Sequence, residues 1–245
     1  MTKKLVLPLV AAGAIAFPAT AGAVTFHGVV VGKQARRHAL VVASQTGLVR
    51  TVHTHRLATK VGARVAVNAR RLSDGTFSAK RVTARGRAQR ARIHGVVARR
   101  ARGTFVVAAG HSMLTVRGSG PPPGTVVDVR VRMDDDDLDE EQIEEVGEAQ
   151  EIELEGKIGS VTPATATANG EIVLLVGKST IDIVVPAGTT LPALKPGDNV
   201  EVKVFLKGDT FTLARTHRED DDDGGDGHDG HHRSDDGDDH GGGDG

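Results

Sequence analysis

A single pattern restricts this chain more than any other: a glycine-containing turn followed by a strand in which valines alternate with polar residues. It occurs as Pro196-Gly197-Asp198-Asn199-Val200-Glu201-Val202-Lys203-Val204, as Pro123-Gly124-Thr125-Val126-Val127-Asp128-Val129-Arg130-Val131, and as Lys60-Val61-Gly62-Ala63-Arg64-Val65-Ala66-Val67. A period of two puts the valines on one face and the polar groups on the other, so each copy reads as a strand with one buried and one wet side. Three copies at similar spacing make the chain a threefold repeat.

Each repeat opens on a strand interrupted by glycine: Phe26-His27-Gly28-Val29-Val30, Ile93-His94-Gly95-Val96-Val97 and Leu154-Glu155-Gly156-Lys157-Ile158. A glycine there signals a bulge or bend that lets one strand serve two sides of a small barrel. Five strands are expected in the first unit, at 25–31, 38–43, 47–53, 64–70 and 76–83. Five more are expected in the third, at 152–161, 171–176, 180–185, 199–205 and 210–216. The second unit offers 93–98, 104–108, 113–116, 125–131 and a weak fifth at 142–146, with Asp134 to Asp137 at the hairpin turn. Five short antiparallel strands per unit match a small barrel of the OB type; an open sandwich or an SH3-like barrel shares the count. Helix-forming composition is confined to 137–155, where a short helix competes with a strand, linker and strand.

The expected fold is therefore all-β: three tandem five-stranded OB-like antiparallel barrels followed by a disordered acidic tail. The expected units are residues 24–86, 91–147, which is degenerate, and 150–217. Residues 218–245, rich in Asp, Gly and His, cannot bury enough apolar surface to fold. Residues 1–23 carry Lys3 and Lys4, an apolar run from Leu5 to Phe17, and Ala21-Gly22-Ala23, the three parts of a secretory signal peptide, with cleavage expected after Ala23. The expected location is secreted, periplasmic or cell-envelope, with no transmembrane segment left after cleavage. The chain has no cysteine, so disulfides and thiolate chemistry are excluded. It also lacks Trp and Tyr, which counts against the stacking platforms of sugar- and single-strand-binding modules.

The order Gly156-Lys157-Ile158-Gly159-Ser160-Val161, then Pro196-Gly197-Asp198-Asn199-Val200-Glu201-Val202, then Gly208-Asp209-Thr210-Phe211-Thr212-Leu213-Ala214-Arg215 resembles the exported bacterial domain-of-unknown-function family 5666. The third unit carries the resemblance best. The first closes on Asp74-Gly75-Thr76-Phe77-Ser78-Ala79, whereas the second has Leu138-Asp139-Glu140-Glu141-Gln142 at that place. The resemblance implies a small OB-like barrel in an exported protein and assigns no catalytic residue.

Charge is segregated. Residues 24–133 hold 21 Lys/Arg against two acidic residues, and residues 134–245 hold 8 against 30. The basic half points to an anionic partner, a cell-envelope or extracellular polymer, with Arg64, Arg70, Arg71, Arg85, Arg87, Arg90, Arg92, Arg99, Arg100 and Arg102 as candidate contacts. Outward polarity on strands explains the same arginines without a ligand, and strand-face charge discourages edge aggregation. Self-association between the basic and acidic halves is a further expectation; a dedicated nucleic-acid role is not. Asp220, Asp221, Asp222, Asp223, His228, Asp229, His231 and His232 supply carboxylate and imidazole ligands for a weakly held divalent cation, without the spacing of a preformed calcium loop.

His53 and His55 fall on one face of an expected strand, about 7 Å apart. His27, His94 and Glu155 occupy the same place before each bend glycine and read as polar strand residues. Phe77, Phe211, Phe105 and Phe205 read as core. Gly118-Ser119-Gly120 and the prolines after it read as a loop. No nucleophile elbow, phosphate loop or zinc-protease helix motif is present, so no residue is assigned to catalysis and no tightly bound cofactor is expected. The leading expectation is a non-enzymatic exported binding module. A metal-handling exported protein and an unrecognised hydrolase are the alternatives.

Overall fold

The computed structural model describes residues 23–176, 179–207 and 210–218. Fifteen strands form three closed barrels. Barrel 1 contains β1 (Val24–Gln34), β2 (Ala39–Ala43), β3 (Val49–His53), β4 (Ala63–Arg71) and β5 (Phe77–Arg87). Barrel 2 contains β6 (Arg90–Ala101), β7 (Thr104–Ala108), β8 (Met113–Arg117), β9 (Thr125–Asp134) and β10 (Asp137–Glu148). Barrel 3 contains β11 (Glu151–Thr162), β12 (Gly170–Val176), β13 (Ser179–Val185), β14 (Asn199–Lys207) and β15 (Thr210–Arg218). Around each ring the strands run first, second, third, fifth, fourth and back to the first. This is the OB-type arrangement.

Four seams of each barrel are antiparallel. The third and fifth strands pair in parallel, as at Val52↔Phe77, Asp139↔Arg117 and Ile183↔Phe211. Strict up-and-down alternation cannot close around an odd number of strands, so a five-membered ring must contain a parallel seam.

The glycines perform the same two tasks in every barrel. The first strand pairs with the fourth through its early residues and with the second through its later ones: Val24 to Val29 then Val29 to Gln34 in β1, with the same division in β6 and β11. At the crossover a Cβ on Gly28 would lie 2.4 Å from Ala43 O, and one on Gly95 would lie 2.5 Å from Ala108 O. Only glycine lets the second strand cross so closely. The turn glycines Gly62, Gly124 and Gly197 have φ of +81°, +89° and +99°. Their N–H groups donate to Val30 O, Val97 O and Ile158 O at 2.8, 2.7 and 2.8 Å, tying each turn to the bent strand.

Burial follows the alternation. Val65, Val67 and Ala69 on β4, Val127, Val129 and Val131 on β9, and Val200, Val202 and Val204 on β14 all point into the barrels. Strands β2 and β7 depart from it, since all of Ala39–Ala43 and Phe105 to Ala108 are buried. Their inner faces fill their own barrels, while their outer faces meet the next one. Val41 and Ala43 pack with the core of barrel 2, and Val106 and Ala108 with that of barrel 3. Two-residue connections join the barrels and are themselves hydrogen-bonded: Ala88 N–H donates to Gly62 O at 2.7 Å and Ala149 N–H to Gly124 O at 2.8 Å.

Three details differ from the sequence-based expectation. The weak fifth strand of the second unit is a twelve-residue strand, β10, and the helix-forming composition around it is overruled by pairing with β9 along its length. Phe205 is 50% exposed, because Val202 and Val204 set the inward parity of β14 and the residue after Val204 must face out. His55 lies beyond the end of β3, so it does not share a strand face with His53.

Candidate functional site

The charge boundary seen in the sequence does not coincide with a barrel boundary. Barrel 2 includes β10, so its arginines face the acidic residues of the same sheet. Across β6 and β9 the register sets Arg90 opposite Arg132 and Arg92 opposite Arg130, like charges directly paired. Such pairs are destabilising unless compensated. On the other side of β9 lies β10, whose acids answer Arg90 and Arg132, while Arg92 is answered by Asp128 of β9 itself. Arg90 Nε lies 2.6 Å from Glu141 Oε2 and Arg132 Nη2 3.7 Å from Asp139 Oδ2, while Arg117 Nη2 reaches Asp137 Oδ2 at 2.5 Å. Arg92 Nη2 donates to Asp128 Oδ2 at 2.7 Å. The Arg92 hydrogen bond draws the Asp128 carboxyl below its ordinary range, and Arg90 does the same to Glu141. These exposed pairs set guanidinium and carboxylate groups side by side along the outer surface of barrel 2.

Barrel 1 has no such strand. Residues 24–88 contain 13 Lys/Arg and one acidic residue, Asp74. Asp74 is occupied by its own turn, where Oδ1 accepts from the N–H and hydroxyl of Thr76 at 2.8 and 2.7 Å.

Where barrel 1 meets barrel 2 a cleft of about 960 Å³ opens, lined by Arg64, Arg85, Arg90, Arg92 and Arg130, by one carboxylate, Glu141, which Arg90 engages, and by Gln45 and Gln142. Arg64 is on β4, Arg85 near the end of β5, Arg90 and Arg92 at the start of β6, and Arg130 on β9. Backbone contact across the junction fixes the wall: His94 N–H donates to Gly47 O at 2.9 Å. Among the described residues Arg64, Arg85 and Arg130 have no ion pair, whereas Arg90 and Arg92 are paired with Glu141 and Asp128. The cleft thus combines two guanidinium groups paired with carboxylates and three without an ion pair. The hydroxyl of Ser44 in the same wall lies 3.0 Å from that of Thr46.

The ten arginines singled out from sequence therefore separate into groups. Arg64, Arg85, Arg90 and Arg92 converge on this cleft. Arg99, Arg100 and Arg102 line a second one of about 890 Å³ between barrels 2 and 3, where Arg99 Nη1 donates to Thr180 Oγ1 at 3.2 Å. Arg70, Arg71 and Arg87 are exposed and line neither. Arg130 joins the first group unforeseen; its register opposite Arg92 is the signal that pairs them. The tail ligands Asp220, Asp221, Asp222, Asp223, His228, Asp229, His231 and His232 lie outside the described residues.

A second polar centre forms where all three barrels meet. Arg37 of barrel 1 donates to Glu155 of barrel 3, with side chains only 16% and 10% exposed. Gln34 Nε2 lies 3.3 Å from both Ser112 Oγ and Glu155 Oε1. Thr51 and Ser112 share a buried hydroxyl contact of 2.6 Å. His111, at the β7–β8 turn, places Nδ1 3.1 Å from Glu201 Oε2. That hydrogen bond raises the pKa of the imidazole against the opposing effect of burial, with Glu153 and Asp74 adding to the rise. Of the residues before the bend glycines, Glu155 meets Arg37 across a junction, His27 lines the cleft, and His94 pairs with Asp128 of its own barrel.

No protein-family model matches the chain, and no curated protein does. Among solved structures, the chain is similar to Drosophila Unr CSD456, at 12% identity and a TM-score of 0.21, over 80% of this chain and 98% of that one. It is likewise similar to a multidomain protein with nucleic acid binding domains from Streptococcus pneumoniae, at 10% identity and a TM-score of 0.20, over 77% of this chain and 72% of that one.

Proposed function

We propose that this protein is a non-enzymatic binding module, exported from the cell, that takes an anionic polymer of the envelope or extracellular space in the cleft between barrels 1 and 2. The observation that carries the reading is the contrast between the two barrels. Of the four opposed arginines in barrel 2, Arg90 and Arg132 are answered by β10 and Arg92 by Asp128 of β9, while the excess cations of barrel 1 have no equivalent, and Arg64 and Arg85 bring that excess to a shared cleft. Guanidinium groups in this setting bind sulfate, phosphate or carboxylate groups through paired N–H donors, and polymer binding releases condensed counterions. Screening at about 8 Å in physiological salt confines the effect to groups that reach the cleft walls. Lys3, Lys4, the apolar run from Leu5 to Phe17 and Ala21-Gly22-Ala23 support export.

Heparin is a suitable probe. The full chain is expected to bind it with an affinity that falls steeply with salt. The Arg64→Glu/Arg85→Glu variant is expected to weaken binding at every salt concentration and to flatten the log–log salt dependence by about two charge contacts. Equal heparin affinity and slope in the variant and the parent would refute the cleft as the site.

A further inference from the structure

We propose that His111, Glu153 and Glu201 form a site for one divalent cation of the zinc class at the junction of the barrels. Their ligand atoms, one imidazole nitrogen and two carboxylate oxygens, lie within 4.8 Å of one another. Three protein ligands of this kind leave a fourth position for water, as in open zinc sites, and the nitrogen donor favours zinc, nickel or cobalt over calcium and magnesium, which take oxygen ligands.

The backbone sets up the arrangement. Glu153 on β11 and Glu201 on β14 share the outer face of barrel 3, diagonal to one another, since the register pairs Glu153 with Lys203 and Glu155 with Glu201. The imidazole arrives from barrel 2 on a turn where His111 has φ of +58°. Barrel 1 seats the ring: a Cβ on Gly75 would lie 2.8 Å from His111 Nε2, so the glycine turn admits the imidazole edge while Nδ1 faces the carboxylates. All three barrels therefore define the position of one ligand.

Charge points the same way. The outer face of β11 and β14 carries Glu151, Glu153, Glu155 and Glu201, and Glu155 and Glu201 are directly opposed. Arg37 answers Glu155. Lys203 Nζ is 2.8 Å from Glu151 and 3.6 Å from Glu153. Glu153 can therefore turn to a cation while Lys203 keeps its nearer partner. Zinc holds tetrahedral ligand atoms about 3.3 Å apart. Exposed Glu153 has the rotamer freedom to close the remaining gap.

The test is thermal unfolding of the full chain, followed by circular dichroism, with and without saturating zinc chloride. Zinc is expected to raise the midpoint by about 5 °C or more. Glu153→Gln, a surface change that preserves the fold, is expected to lose more than half of that shift. The triple variant His228→Gln/His231→Gln/His232→Gln is expected to keep more than half of it. The proposal is overturned by an unmoved midpoint in the parent chain, by Glu153→Gln retaining more than half of the shift, or by the triple variant losing more than half. An equal shift with calcium chloride would overturn the zinc-class assignment. Heparin binding plays no part in this readout, so the outcome is independent of the anion cleft.

Discussion

Replacing Gly95 by alanine probes the bend on which each barrel closes. The new Cβ would stand 2.5 Å from Ala108 O, 2.6 Å from Val107 Cγ1 and 3.0 Å from the Ala109 Cβ. Two of the three atoms in the way are backbone or directly attached to it, so no rotamer change relieves the contact. Strands β6 and β7 must separate by about 0.5 Å to reach the 3.0 Å floor of real Cβ contacts, at the point where Val96 pairs with Ala108. Overpacking of this kind costs about 1–3 kcal/mol, and weakening a ladder hydrogen bond adds about 1 kcal/mol. The expected loss is therefore about 2–4 kcal/mol. Gly147→Ala in the same barrel is the control, because nothing lies within 4 Å of its would-be Cβ and its φ is not in the left-handed region; its effect should stay within about 0.5 kcal/mol. With no Trp or Tyr to report by fluorescence, urea unfolding is followed by far-ultraviolet circular dichroism. A Gly95→Ala midpoint indistinguishable from that of Gly147→Ala would refute the close-crossing account of the bend.

Three other expectations follow from the same geometry. Phe105, 1% exposed, should cost about 3–5 kcal/mol on truncation to alanine, whereas Phe205→Ala should cost under about 1 kcal/mol; equal losses in urea titrations would contradict the parity of β14. Arg37→Ala removes the guanidinium from a mostly buried carboxylate that faces Glu201, so a loss of about 3 kcal/mol is expected, and Arg37→Ala/Glu155→Ala should lose less than the single change in a double-mutant cycle. The Asp128 carboxyl is held low by Arg92, so its contribution is fully present above the unfolded-state pKa and is lost as pH falls through the lower folded value. Asp128→Asn should accordingly flatten the decline in unfolding midpoint below about pH 4, and an unchanged acid limb would count against the pair.

Much of the barrel architecture is legible in the chain because it depends on local rules. Alternating valines set which residues of β4, β9 and β14 face in, and the bend glycines stand where two strands cross. Even the docking faces leave a trace, since Ala39-Leu40-Val41-Val42-Ala43 and Phe105-Val106-Val107-Ala108 break the alternation where both faces are covered. Helix-forming composition misdirects at β10, where long-range pairing with β9 outweighs propensity. Phe205 follows from the parity of its own strand, and its aromatic character is what obscures that.

The sites are harder to read because they are assembled between barrels. Outward arginines are visible from their spacing, but which of them share a cleft depends on how barrel 1 docks against barrel 2, a matter of Val41, Ala43 and Val49 against the second core. His111 stands in an undistinguished turn 90 residues before Glu201, and nothing in either neighbourhood announces the other. In sequence the acids that follow Met133 read as part of an acidic half set against a basic one, whereas register gives those of β10 a local task, pairing with Arg90 of β6 and Arg132 of β9.

The most direct test of the binding account is arginine-specific modification of the full chain with phenylglyoxal, mapped by mass spectrometry with and without heparin oligosaccharide. The account predicts strong protection of Arg64 and Arg85, with Arg70 and Arg71 modified to the same extent in both samples. Protection spread evenly over all the exposed arginines of barrel 1, or confined to Arg70 and Arg71, would contradict it.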